Sequence, residues 1–108
     1  MDSINSVNKE FSPIKRWPTT KHHLRNVEIC LHVARGLSCK DVGAIYNLCR
    51  YRISIIYRIL MGYLYSNKYN IPYSEAVNNK KYYYCKESLE MIEKYYESYK
   101  KWLNKANA

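Results

Sequence analysis

Residues 37–64 read LSCKDVGAIYNLCRYRISIIYRILMGYL, and two helices joined by a tight turn fit them. The first helix opens at Ser38. Its hydroxyl can accept a hydrogen bond from a free N–H of the first turn, and Asp41 follows three residues on, close to a capping box. Val42, Ile45 and Tyr46 form the apolar stripe of this helix. Gly43 stands where two crossing helices approach most closely, and a side chain larger than Ala would push them apart. Asn47 sits at the turn, and Asn is the best non-glycine residue for left-handed backbone. Leu48 plugs the corner. Arg50 opens a second helix, in which Ile53, Ile56 and Leu60 fall three and four residues apart. The ordered set Val42, Gly43, Tyr46, Asn47, Leu48 and Ile53 spells a helix-turn-helix. The competing reading is a plain helical hairpin in a small bundle.

Outward from this stretch the pattern stays helical. Upstream, Leu24, Val27, Leu31 and Ala34 share one face with Cys30 beside them. Thr19 or Thr20 can cap that helix, and Gly36 ends it after Arg35. Downstream, the apolar spacing of the second helix continues through Ile59, Tyr63 and Leu64. Ser66-Asn67-Lys68 and Asn70-Ile71-Pro72 are expected to break it, and residues 73–79 could form a short helix capped by Ser74. The last segment places Tyr82, Cys85, Leu89, Ile92, Tyr96, Tyr99 and Leu103 alternately three and four apart, a heptad-like seam. Tyr84, Met91, Tyr95 and Trp102 widen that face, which favours contact with more than one neighbour: a second subunit, the chain's own core, or both. Residues 1–20 read as an arm, broken by Pro13 and Pro18 and pinned by Phe11 and Trp17. Its inner end is basic, with Lys15, Arg16 and Lys21; it either tracks DNA or is a disordered terminus.

The expected class is therefore all-α, a helix-turn-helix core of three to four helices plus a long amphipathic C-terminal helix. The divisions are arm 1–20, helix-turn-helix domain 21–65, linker or short helix 66–80, and C-terminal helix 81–108.

The chain has 108 residues and a formal charge of +9. Residues 1–10 carry a net −1. Residues 11–68 carry ten Lys/Arg against Glu28 and Asp41, a net +8, and residues 69–108 a net +2. Positive charge thus concentrates on the helix-turn-helix half, the electrostatic footprint of a polyanion binder. The basic segment is not one amphipathic helix with a Lys/Arg face, so a membrane surface ranks well below nucleic acid as partner. Thirteen Tyr against one Phe is unusual, and many are expected half-buried at rims or interfaces. Cys30, Cys39, Cys49 and Cys85 show no C-x-x-C pair and read as reduced thiols. His22 and His23 read as exposed imidazoles at a helix start rather than as metal ligands with His32 and Cys30. No metal or cofactor is expected. The first twenty residues lack a cationic start followed by an apolar run, so no signal peptide is expected, and the apolar run 59–65 is too short to span a bilayer. The expected location is cytoplasmic, at the nucleoid.

In a helix-turn-helix the start of the second helix faces the major groove. By helical spacing its outward set is Arg50, Tyr51, Ser54, Ile55 and Arg58, with Arg52 to one side. Arg can pair with guanine, Ser can serve either base type, Ile55 can touch a thymine methyl, and Tyr51 suits a phosphate or sugar. Ser38 and Lys40 should meet phosphates, as should Lys15 and Arg16 on the arm. The C-terminal seam, Tyr82 to Leu103, is the candidate oligomerisation face. An enzyme is a poor fit. His32-Val33-Ala34-Arg35 spells the H-x-x-R of tyrosine recombinases, but on an ordinary core helix, with no phosphate loop. A protein-interaction module, such as an anti-sigma factor or an antitoxin working through the tyrosine-rich C-terminal helix, is the alternative. It gives no reason for +8 on the other half.

The run of Val27, Leu31, Gly36-Leu37-Ser38, Asp41-Val42-Gly43, Leu48 and Ile53 resembles the −35-recognising domain of sigma factors and the DNA-binding domain of response regulators with the same tetrahelical motif. It covers about a third of the chain. Asn47 stands where those families often have Gly, and Cys49 where they often have Ser or Pro. No other sigma-like region precedes it, and a complete sigma factor is not expected. In size and layout the chain looks closer to the small fimbrial (adhesin biosynthesis) transcription regulators of enteric bacteria, through Gly36, Ser38, Lys40, Val42, Tyr46 and the apolar helix to Leu64. That resemblance implies a bacterial regulator that oligomerises on AT-rich DNA and acts on adhesin operons. Apart from the resemblance, a DNA-binding regulator with such a tail could recruit or block RNA polymerase or another regulator through it. It also implies that some members approach through the minor groove.

Overall fold

The computed structural model describes residues 22–82 and 86–106. Among the described residues five α-helices follow one another: α1 (His23–Ala34), α2 (Cys39–Tyr46), α3 (Arg50–Tyr69), α4 (Tyr73–Val77) and α5 (Lys86–Ala106). A 3-10 turn, Lys80–Tyr82, precedes α5. The described residues contain no strand, and the fold is all-α.

α1 is the centre. The sequence stripe gave it one apolar face, but its contacts are to α3 and α5 as well as α2. Val27, Cys30 and Leu31 are buried as expected; so are Ile29 and Val33, on a second side. A 12-residue helix buried on two sides is what lets a short chain close a core around it. It ends at Gly36, φ +107, where the Gly36 and Leu37 N–H groups bond back to the Val33 and His32 carbonyls. That double return satisfies two carbonyls the helix end would otherwise leave open.

α2 and α3 end by one device. Asn47 (φ 58) and Asn70 (φ 54) adopt left-handed backbone. The residue after each, Leu48 and Ile71, sends its N–H back to the Gly43 and Ser66 carbonyls and packs on the core. The Asn70 ending corrects the expected break at Ser66-Asn67-Lys68. α3 runs through those residues to Tyr69, so the expected boundary at residue 65 cuts a continuous helix. The Ser66 hydroxyl donates to the Ile71 carbonyl at 2.6 Å, which ties the turn to the helix it follows.

α4 starts two residues earlier than a Ser74 cap would place it. Pro72 is its N-cap and no side chain caps it. Pro suits a helix start, because it has no N–H to leave open. The short helix lies against α3 at Gly62. A Cβ there would sit 2.8 Å from Val77 Cβ and 2.9 Å from Tyr73 Cε1. In an open helix, Gly→Ala stabilises by about 1 kcal/mol. Here overpacking of about 1–3 kcal/mol opposes that gain. Gly62→Ala should therefore lower the urea midpoint, and a rise in the midpoint would show that α4 does not press on Gly62.

α5 packs on α1 and buries Ser88, Ile92, Tyr95 and Tyr99, of which Tyr95 and Tyr99 meet His23 of α1. Its contacts run in the opposite order along α1: His23 meets Tyr95 and Tyr99, Glu28 meets Tyr96, and Arg35 meets Glu93. The two helices are thus antiparallel. At its start α5 is tied to the end of α3: Tyr65 Oη lies 2.9 Å from Ser88 Oγ, and Glu87 pairs with Lys68 and accepts from the Tyr69 hydroxyl.

Tyrosine does more of the core than expected. Tyr57, Tyr65, Tyr95 and Tyr99 are buried, not held at a rim. A tyrosine tolerates burial when its hydroxyl has a partner, and Ser88 and His23 serve Tyr65 and Tyr95. Ile45 departs in the other direction. Helical spacing puts it on the inner stripe of α2, yet it is 56% exposed. The inward positions of α2 are the buried Val42 and Gly43 and the half-buried Cys39 and Tyr46, and the helices packed on it leave Ile45 uncovered.

Candidate nucleic-acid interface

The helix-turn-helix geometry follows from three local choices. Ser38 has extended backbone, and its hydroxyl accepts from the Asp41 N–H at 3.1 Å. That starts α2 at Cys39. Asn47 turns the chain through left-handed backbone. Gly43 then lets the turn fold tightly over α2, because any Cβ there would lie 2.3 Å from the Leu48 carbonyl oxygen. The close approach anticipated at Gly43 is to the backbone of the turn itself, and it excludes even alanine's methyl.

α3 leaves this turn with Ile53, Ile56, Tyr57, Leu60, Met61 and Tyr65 buried. The opposite side holds the candidate DNA-reading residues. Arg50, Tyr51 and Arg52 are exposed, Tyr51 the most at 72%. Ser54, Ile55 and Arg58 are half-buried. Ser38 and Lys40 are exposed at the start of α2, with the Ser38 hydroxyl engaged as the cap. Lys15 and Arg16 lie outside the described residues, as do Thr19 and Thr20 and the rest of the arm.

Between α2 and α3 lies an open hollow of about 530 Å³ lined by Lys40, Gly43, Ala44, Asn47, Leu48, Cys49 and Arg50. It brings two cations together from different helices. Lys40, Arg50 and Arg52 form no ion pair with any described residue. α3 has no Asp or Glu, and no acid occurs between Asp41 and Glu75. Sequence reasoning did not place Ala44 or Cys49 at this hollow. The available signal was the spacing of four from Lys40 to Ala44, which puts both on one side of α2.

The other candidate residues are distributed as follows. Of the seam proposed for a second subunit, Ile92 and Tyr99 are buried against the chain's own core. Leu89, Tyr96 and Leu103 are half-buried there. Cys85 and the Tyr82 side chain lie outside the described residues. His32 sits near the Tyr46 ring, and Arg35 pairs with Glu93 at 3.5 Å. His23 is not an exposed imidazole. It is buried beneath α5, its Nε2 2.9 Å from Tyr95 Oη and its ring stacked on Tyr99 at 4.4 Å. Burial lowers its pKa from 6.5 to about 4. Burial also pushes the thiols of Cys30 and Cys39 up, Cys30 far up. Among the described residues no three His, Cys, Asp or Glu converge as metal ligands would, and no helix is long and apolar enough to cross a membrane.

No protein-family model matches the chain, and neither a curated protein nor a solved structure matches it.

Proposed function

We propose that this chain is a transcription regulator that binds double-stranded DNA, laying the start of α3 in the major groove while Ser38 and Lys40 meet the phosphate backbone. One observation carries the reading. A tight α2–turn–α3 unit presents Arg50, Tyr51 and Arg52, exposed and without a described ion-pair partner, on a helix free of acidic residues. Arg on a groove-facing helix supplies both phosphate attraction and bidentate base contacts. The cations of the hollow suit the flanking phosphates.

The reading includes action as a dimer or higher oligomer. For a second copy, the seam leaves the half-buried Leu89, Tyr96 and Leu103. The alternative, a protein-interaction module working through the tyrosines of α5, has less surface to work with, because Tyr95 and Tyr99 are buried.

A salt titration of binding to an AT-rich and a GC-rich duplex tests the proposal, with solution mass recorded alongside. Salt-sensitive binding is expected. Arg50→Ala should weaken it by about tenfold, the loss of one good base contact, without changing the helical circular dichroism. Lys40→Ala should lower the slope of log affinity against log salt by about one. Failure of the unaltered chain to bind either duplex at low salt would refute the proposal. Binding unaffected by Arg50→Ala would remove α3 from the interface.

A further inference from the structure

The outward face of α3 has a chemical composition that narrows what it can read. In the major groove, adenine is read best by Asn or Gln, cytosine by Asp or Glu, and guanine by Arg or Lys; thymine alone offers an apolar feature, its C5-methyl group. The first three turns of α3, residues 50–61, contain no Asn, Gln, Asp or Glu. Their exposed or half-exposed side chains are Arg50, Tyr51, Arg52, Ser54, Ile55, Arg58 and Ile59. Ile59 packs against the core cluster, whereas Tyr51 and Ile55 do not belong to it. Those two are four residues apart, so they lie one above the other on the same face. An aromatic ring and a branched aliphatic chain thus form an apolar strip between arginines, with the Tyr51 ring largely exposed among the described residues.

We infer that this strip reads thymine methyl groups. Resting on the DNA-binding proposal, the inference assigns Ile55, and Tyr51 in place of the phosphate or sugar contact its residue type suggests, as the residues that touch C5-methyls in the major groove. The flanking Arg50, Arg52 and Arg58 supply the attraction that seats the strip there. Charge selects this occupant over an apolar peptide: the strip is bounded by three cations on a helix without an acid, inside a segment of net +8. A polyanion carrying methyl groups matches both the charge and the apolar surface. A preference for AT-rich DNA then arises in the major groove, from methyl contact, and needs no minor-groove insertion.

The test uses the full chain and one AT-rich duplex made in two forms, with thymine or with deoxyuracil throughout. Deoxyuracil keeps the base pairing and the minor-groove edge and removes only the C5-methyl. The expected result is a fall in affinity of about fourfold for each methyl contacted, because burying a CH₂-sized group stabilises by about 0.8 kcal/mol. Two contacts give a fall on the order of tenfold. Ile55→Ala should bind the thymine duplex more weakly and lose part of the discrimination between the two forms. Equal affinity of the unaltered chain for both duplexes would overturn the methyl reading while leaving DNA binding intact. Absence of binding to both would overturn the DNA-binding proposal and this inference together.

Discussion

Gly43→Ala should destabilise the fold by about 3 kcal/mol, against a usual total of about 5–15 kcal/mol for a domain, and should lower Tm by on the order of 15 °C. Two effects compete at this position. Alanine is the better helix former, by about 1 kcal/mol, and Gly43 lies inside α2. Against that, the added methyl would lie 2.3 Å from the Leu48 carbonyl oxygen and 3.4 Å from its carbon. A flexible side chain could rotate away from such a contact. A backbone carbonyl cannot move without moving the turn. The Leu48 N–H is bonded to the Gly43 carbonyl at 2.8 Å, so the residue that would collide is also held to this one. Relief therefore requires α3 to swing away from α2. Arg50 and Lys40 line one hollow, and the swing would change their separation. Thermal melting and the DNA titration should thus fail together in this variant. Arg50→Ala should weaken binding and leave melting unchanged. A Gly43→Ala chain that melts at or above the unaltered one would show that the turn is looser than described.

The same residue marks how far the sequence could be read. The helix-turn-helix was legible because its signals are local. A hydroxyl three residues ahead of an N–H, an asparagine at a turn and apolar residues at three and four need no knowledge of distant partners. Ser38, Asn47, Val42 and Ile53 therefore stand where expected. The failures involve partners far away in sequence. Ile45 was assigned inward by spacing alone, but which positions of a short helix are covered depends on the helices packed against it. Gly62 carried no local mark, since its neighbour is Val77 on another helix. Ser66-Asn67-Lys68 looked like a break on composition, but tertiary contacts at Tyr65, Lys68 and Tyr69 hold the helix together there. The C-terminal seam was recognisable as apolar at helical spacing. Periodicity alone does not distinguish a second subunit from the chain's own α1.

His23 is the case where a distant partner changes a residue's chemistry, and it predicts a pH dependence. Its ring is only 1% exposed, and burial disfavours the charged form. In the folded chain the pKa falls from 6.5 to about 4. Between those values the unfolded chain holds a proton that the folded chain does not. Stability is therefore full above pH 6.5 and declines as pH falls toward 4, by up to about 3 kcal/mol. The carboxylates titrate in part of the same window, so the measurement is a difference. Urea midpoints should be taken from pH 7.5 to 4.5 for the unaltered chain and for His23→Phe, whose ring can still stack on Tyr99 but cannot take a proton. The unaltered chain should lose stability with the steeper slope, most of it below pH 6. Parallel curves would mean that His23 is hydrated or already charged in the fold. The seam at stake is that between α1 and α5. Two further polar ties there, Arg35 to Glu93 and Tyr96 to Glu28, are 3.5 Å long and lie nearer the surface. Such contacts contribute little in water. Protonating His23 places a cation against the Tyr95 and Tyr99 rings inside the apolar seam, so α5 should be the element that acid releases first. α2 and the start of α3 do not depend on that contact. DNA binding should then outlast the native packing of α5 as pH falls, and circular dichroism in the near ultraviolet, where Tyr95 and Tyr99 report, should change before binding does.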